Sequence, residues 1–335
     1  MKRIFKRIAL LASTLAATFL LFGCGNSEPS GPASNPSTAS GTAQAAAPEL
    51  TPQERWGIDE FVIVLLPGED TPEVAWTREV FGEALGEVLG IPVREFHGTS
   101  YAAVIEAMRV GHAHAAHFGP FSYVTAVYRA GAEAFAIIGR PDPAAEGGFL
   151  KGYYSLFITH VDSGIYSMDD LPGRTFGFVD PESASGNIVP LNEFINYFTP
   201  TMPDLHQDDL HISGRFFSTS MFTGTHPNSI QGVLRQDIDA AAVASTVLTR
   251  EVDTGLVDMS QLRIFHSSPL IPNSPLAFQR DLPDDLKELI KNFFFEWDDE
   301  EFWEHRGGIG ARYIPISDSD FDVMRELRER FGLED

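Results

Sequence analysis

The chain has 335 residues and a formal net charge of −23, from 24 basic and 47 acidic side chains. A surface that acidic repels nucleic acid and anionic lipid headgroups, but a buried site can still hold an anion with local dipoles and hydroxyls. The single cysteine excludes an intramolecular disulfide, so the fold must rest on its core.

The first element is a leader. Lys2, Arg3, Lys6 and Arg7 precede an apolar run from Ile8 to Phe22, which ends in Leu21-Phe22-Gly23-Cys24. A charged start, a short apolar stretch and a small residue before the cut make residues 1–23 a secretory signal. Gly23 directly before Cys24 makes it similar to a bacterial lipoprotein signal, in which the thiol is acylated and becomes the new N-terminus. Phe22 is bulkier than that pattern usually carries. The alternative is a short transmembrane helix, but the run is shorter than the ~20 apolar residues that span a bilayer. The mature protein is therefore expected outside the cytoplasm, in the periplasm or on the outer face of the cytoplasmic membrane, with its membrane anchor at Cys24. Loss of the four leader cations leaves it more acidic still. Residues 24–56 are mostly Ser, Pro, Ala, Gly and Thr, too poor in aliphatic residues to offset chain entropy, and read as a tether.

The remaining stretch, from residue 57 onward, is long enough for two domains and alternates strands with helices. Phe61 to Leu66 is a continuous apolar run, as in a strand covered on both faces. Thr71-Pro72-Glu73 opens a helix whose buried stripe is Val74, Phe81, Leu85 and Val88. Ile91 to Phe96 is a second strand, Gly98-Thr99-Ser100 caps a helix, and Ala113 to Phe118 is a third strand. That order predicts a parallel sheet with helices on both faces. A second set has strands at Tyr154–His160, Thr175–Val179, Ala240–Val243 and Arg263–His266, with Phe216–Thr219 extended. Its helices cover Val189–Tyr197 and Ser229–Leu234, and a tail helix begins near Asp284.

The strongest local signal is Asp180-Pro-Glu-Ser-Ala-Ser-Gly186. A strand ends, a turn of small residues comes next, and a helix begins. The first N–H groups of that helix lack internal partners and sit at the positive end of its dipole. With the hydroxyls of Ser183 and Ser185 they make a cradle for a tetrahedral oxyanion, or else an ordinary N-cap. Thr99, Ser100 and Tyr101 repeat the arrangement after an earlier strand, and two such caps can face each other across a cleft. His112, His114 and His117 suggest a metal, but no carboxylate or cysteine stands at ligand spacing and no HExxH motif occurs, so neither metal nor cofactor is expected. No GxSxG elbow, Walker A motif or CxxC is present.

Six segments in register carry a resemblance. They are Thr99-Ser-Tyr101-Ala-Ala-Val-Ile-Glu-Ala-Met-Arg, Phe118-Gly-Pro-Phe-Ser-Tyr123, Gly152-Tyr153-Tyr154-Ser155, Phe176-Gly-Phe-Val-Asp-Pro-Glu-Ser-Ala-Ser-Gly186, Gly224-Thr-His226 followed by Asp239-Ala-Ala, and Ser268-Pro-Leu-Ile-Pro-Asn-Ser274-Pro. Together they resemble the periplasmic phosphonate-binding proteins of ABC importers, a group that includes phosphite and hypophosphite binders. The resemblance implies an α/β, two-lobed clamp of the type II periplasmic-binding-protein kind, each lobe a mostly parallel sheet flanked by helices. The implied lobes are 57–155 plus 265–335, and 156–264, with crossovers near Ser155 and Phe265.

Residue by residue, the resemblance puts Tyr101 and Tyr153 on tyrosines that line the ligand pocket. Ser183 and Ser185 fall on the phosphonate-cradling turn, with Ala184 where some members have threonine. His226 falls on a histidine that bonds an oxyanion oxygen. Thr246 and Ser274 stand where binders of aminoalkyl phosphonates carry two carboxylates, so phosphite, methylphosphonate or phosphate is the expected ligand. The expected protein is a monomer and not an enzyme. It hands its ligand to an ABC permease and binds no nucleic acid. The alternatives are a sensory lipoprotein and an enzyme on the same fold, for which His226 and Ser183 are the one nameable pair.

Overall fold

The computed structural model describes residues 50–68 and 72–333. The signal segment, Cys24, most of the tether and Thr71 lie outside the described residues. The first described helix, α1 (Pro52–Trp56), falls inside the expected tether. Thr51 and Glu54 form a reciprocal capping box around it, and Gly57 ends it in the left-handed conformation. Arg55 and Trp56 both bond Asp285, at 2.7 and 3.1 Å, which ties this helix to the body of the protein. The folded body therefore includes the cap signal Thr51-Pro-Gln-Glu54, which the expected limit at 57 leaves out.

The next elements are β1 (Phe61–Leu65), α2 (Pro72–Leu89), β2 (Val93–His97), α3 (Tyr101–Arg109), β3 (Ala115–His117), α4 (Pro120–Ala130) and β4 (Ala132–Pro141). Two short strands, β5 (Phe149–Leu150) and β6 (Gly152–Tyr153), lead to β7 (Ser155–His160) and β8 (Thr175–Phe178). Then come α5 (Val189–Phe198), α6 (Gln207–His211), β9 (Thr219–Phe222), α7 (His226–Leu234), β10 (Ala240–Ala244), α8 (Ser245–Asp253) and β11 (Leu262–Ser267). The chain ends through β12 (Ile271–Pro272), β13 (Pro275–Gln279), α9 (Asp284–Glu296), α10 (Glu300–Arg306), β14 (Arg312–Pro315) and α11 (Asp322–Arg330).

The described strands build two main sheets. One runs β14-β4-β13-β3-β1-β2 with β5 beside β4, and the other β11-β7-β10-β8-β9. Parallel pairing holds for β2-β1-β3 and for β10-β8-β9. The remaining pairs are antiparallel, so both sheets are mixed and not mostly parallel. The reason is the chain path. β13 returns from the second sheet and enters the first between β3 and β4, while β7 enters the second sheet against β10 and β11. Strand–helix–strand spacing reports neither passage.

The two passages between sheets pair with each other. β6 and β12 form an antiparallel ribbon, Ile271 opposite Tyr153 and Pro272 opposite Gly152. A Cβ on Gly152 would stand 2.4 Å from the Ile271 carbonyl oxygen, so only glycine allows this approach. One buried cluster includes Val62, Val64 and Phe118 of the first sheet's half with Phe157, Phe176 and Phe194 of the second's.

Three local expectations shift. In α2 the buried stripe is Thr77, Phe81, Gly82, Leu85 and Leu89, while Val88 is exposed. The last turn meets the sheet one residue later than the spacing suggests. The strand expected at 216–219 lies at Thr219–Phe222, because its parallel register with β8 pairs Thr175 with Thr219 and Phe178 with Phe222. β11 continues in the second sheet to Ser267, beyond Phe265.

Candidate functional site

The segment after β8 has the expected strand–turn–helix form, with one local difference. Asp180 Oδ1 accepts the Glu182 N–H at 2.9 Å and sets the turn. Ser183 is the N-cap, its Oγ accepting the Gly186 N–H at 3.0 Å. Residues Ala184–Ile188 then wind as one π turn before α5 begins. Single π turns interrupt helices where function needs backbone re-aimed. The amides of Ala184 and Ser185 come too early in the winding to find an intrahelical acceptor. The turn is pinned from below, with Ser155 Oγ donating to the Ser185 carbonyl at 2.6 Å and Asn187 Nδ2 to the Pro181 carbonyl at 2.9 Å.

A cavity of about 210 Å³ opens over this turn, and Tyr101, Tyr153, Ser183, Ala184, His226, Thr246 and Ser274 all line it. Tyr101 is the first residue of α3, buried, with its hydroxyl interacting with Ser183; burial raises its pKa. The Tyr153 hydroxyl lies beside Ser185 and Ser274, and burial pushes its pKa to about 12. Both phenols stay neutral donors.

His226 begins α7, which Thr225 caps. Its Nδ1 accepts the Ala244 N–H at 3.2 Å, leaving the ring proton on Nε2. Burial, and secondarily the Arg250 charge, push its pKa down to about 3.

Three expected residues stand apart from the cavity wall. Thr99 is exposed. Ser100 spends its Oγ capping α3, accepting from Ala103 N at 3.1 Å. Ser185 Oγ does not line the cavity; it is buried beside the Tyr153 hydroxyl. The second cap therefore contributes Tyr101 and not its hydroxyls.

His117 and Asn273 also line the cavity, and with them three arginines that sequence reasoning passed over, Arg140, Arg250 and Arg306. None lies in a recognisable motif. They meet only because distant elements converge, and Arg140 and Arg306 come from β4 and α10.

The histidine series separates. His112 is exposed, His114 accepts the Val62 N–H at 3.0 Å and stacks on Phe61, and His117 faces the cavity with its pKa pushed down to about 3, chiefly by burial. Among the described residues no group of three or more His, Cys, Asp or Glu could hold a metal ion. No hydrogen bond joins His226 to Ser183 among them, since His226 Nδ1 and Ser183 Oγ each accept from backbone. Beside the three arginines of the wall, the Ser183–Ala184 turn, the two phenols and His226 offer neutral donors in a buried cleft, which suits binding an anion.

Two mixed sheets, joined by a paired ribbon and flanking one donor-lined cavity, define a two-lobed clamp of the type II periplasmic binding kind. A family profile described as the periplasmic substrate-binding protein of phosphonate ABC transporters matches residues 63–321, and the chain belongs to that family. It is 27% identical over 241 residues to the phosphonates-binding periplasmic protein of Escherichia coli, a match covering 71% of this chain and 65% of that one. It is 24% identical over 310 residues to the phosphate-import protein PhnD of Mycolicibacterium smegmatis, covering 88% and 93%. Among solved structures, a binding protein component of an ABC phosphonate transporter from Pseudomonas aeruginosa superposes with a TM-score of 0.68 at 25% identity, covering 82% of this chain and 86% of that one. PhnD1 from Prochlorococcus marinus, solved with methylphosphonate, shares the fold with a TM-score of 0.67 at 18% identity, covering 82% and 98%. No described helix is long and apolar enough to cross a membrane.

Proposed function

We propose that the protein captures a small phosphorus oxyanion outside the cytoplasm and delivers it to an ABC importer. The observation that carries this reading is the convergence of the Ser183–Ala184 turn, Tyr101, Tyr153 and His226 on one cavity. Two backbone amides, two phenols, a serine and a neutral imidazole can surround a tetrahedral anion without a formal cation. The lobes would be about 51–154 plus 268–335, and 155–267, the limits moved from those expected so that α1 joins the first lobe and β7 and β11 stay whole in the second, hinged at the β6–β12 ribbon.

Phosphite, methylphosphonate or phosphate suits the tail region better than aminoethylphosphonate. Thr246 and Ser274 line the cavity where the resemblance puts carboxylates. A desolvated ammonium would find hydroxyls there and no counter-charge. The neighbour solved with methylphosphonate and the phosphate-import relative are consistent with this. A monomer anchored through acylated Cys24 completes the proposal, and mass spectrometry of the mature N-terminus checks the anchor.

The test is a thermal-shift panel of phosphite, hypophosphite, methylphosphonate, aminoethylphosphonate, phosphate and sulfate. A ligand at ~100 times its Kd adds ~2.7 kcal/mol and raises the Tm visibly. A shift with phosphite, methylphosphonate or phosphate supports capture. A panel with no shift removes it, and conversion of a bound ligand would favour the enzyme reading.

A further inference from the structure

The cavity contains more than the oxyanion donors. Arg140 of β4, Arg250 of α8 and Arg306 at the end of α10 all contribute to its wall, and none of its described lining residues is an aspartate or glutamate. Two of these cations have company. Arg250 Nη2 bonds Glu251 Oε1 at 3.0 Å, and Arg306 lies close enough to Glu95 to favour its charged form.

Arg140 differs. Its guanidinium makes no hydrogen bond or ion pair with the described residues. It is half-buried, and burial alone acts on its pKa, downward. Arginine stays protonated even so. A half-buried guanidinium without a partner is costly, and an anion entering the cavity would offset that cost. The cavity of about 210 Å³ also exceeds what the four heavy atoms of phosphite fill.

Building on the capture reading above, we propose that the cleft selects a phosphorus oxyanion whose short carbon tail ends in a second anionic group, a carboxyalkyl phosphonate, with the head on the Ser183–Ala184 turn and the tail carboxylate on Arg140. The planar fork of arginine matches a carboxylate with two parallel hydrogen bonds. The same wall that denies an ammonium its counter-charge offers one to a carboxylate, so the Thr246 and Ser274 positions and Arg140 discriminate in the same direction. Asn273, whose Nδ2 is engaged by the Ile138 carbonyl at 2.6 Å, helps hold that end of β4 against β12 and β13.

Calorimetry on the full chain would compare methylphosphonate, phosphite, aminoethylphosphonate, phosphonoacetate and 3-phosphonopropionate. One of the two carboxylates should bind at least about tenfold more tightly than methylphosphonate, the size of one charge-assisted pair. Arg140→Met should collapse that ratio, and Arg140→Lys, which keeps the charge and loses the fork, should leave part of it. Equal or tighter binding of methylphosphonate by the wild type overturns the proposal, as does a ratio that Arg140→Met and Arg140→Lys both leave unchanged. If methylphosphonate or phosphite binds while the carboxylates gain nothing, capture stands and the second anionic subsite falls. If none of the five binds, the second anionic subsite falls, and capture falls with it when phosphate, added as a sixth compound, does not bind either.

Discussion

At His226, burial decides how the site handles protons. The ring is neutral in the folded protein because burial and Arg250 hold its pKa near 3, against about 6.5 in an unfolded chain. Below pH ~6.5 the unfolded state therefore binds the proton that the folded state refuses. The stability tied to this ring is complete above that pH and declines as pH falls, by about 1.4 kcal/mol per unit. His117 acts in the same direction, its pKa also near 3. Glu95 acts in the opposite one. Burial raises its pKa to about 7, so its contribution improves as pH falls from there toward the ordinary carboxylate range. Burial also holds His114 and His211 down and Asp180 and Glu182 up, so four histidines stand against three carboxyls, and stability should fall on the acid side. His226→Asn should flatten that limb by about one histidine's share and weaken oxyanion binding by the ~1.5–3 kcal/mol of a donor to a charged acceptor. Urea melts at pH 8, 6 and 5 with calorimetry at pH 7.5 check both. An unaltered acid slope would contradict the buried neutral ring, and unaltered affinity would remove His226 from the ligand's shell.

Among the elements, the π turn at Ala184–Ile188 depends most on a single atom's absence. A Cβ on Gly186 would lie 2.4 Å from both Val179 Cβ and Cγ2 and 2.9 Å from Ser183 Oγ. These contacts are too short for relaxation without moving the turn. Gly186→Ala should cost about 1–3 kcal/mol as overpacking, or a few degrees of Tm, and should weaken ligand binding besides, because the displaced backbone is the proposed cradle. Thermal melts and calorimetry on the same variant decide it, since an unshifted Tm with wild-type affinity would mean the turn tolerates the methyl. The heptapeptide was readable as strand, turn and helix because its cap residues act within a few positions of one another. Its π winding was not, because it depends on how the turn packs against Val179 and Ser155, neighbours that local sequence does not announce. The same limit explains why Ser100 reads as a site residue when its Oγ is committed to Ala103 N. It also explains why β9 is displaced by three residues, since its register is set by β8.

Across the whole molecule, the alternation of strands and helices made an α/β body legible, and six short segments in register carried the clamp. The antiparallel strands and Arg140's place in the cavity wall were not legible, because both arise from chain passages that join residues more than a hundred positions apart. The same passages create the seam along which a clamp must open. Across it, Thr125 of α4 donates to Glu182 Oε2 at 2.7 Å, directly before Ser183 of the proposed cradle, and accepts from Arg328 Nη1 of α11 at 3.1 Å. Gln207 Nε2 reaches the Phe331 carbonyl at 2.9 Å, and Arg330 bonds Asn192 and Asn196 of α5. Contacts made only when the lobes meet stabilise the closed state and so hold the ligand. Thr125→Val keeps the side-chain shape and removes the hydroxyl, leaving half-buried Glu182 without that donor. A hydrogen bond to a charged group is worth ~1.5–3 kcal/mol, so the closed state should lose on the order of tenfold in population relative to the open one. The loss should fall on ligand release, with the off-rate rising about tenfold and the on-rate nearly unchanged, because encounter precedes closure. Stopped-flow release of a bound oxyanion from wild type and variant measures this. An equal off-rate in the two would mean that the Thr125–Glu182 bond persists when the cleft opens, and the hinge would then have to bend elsewhere than along this seam.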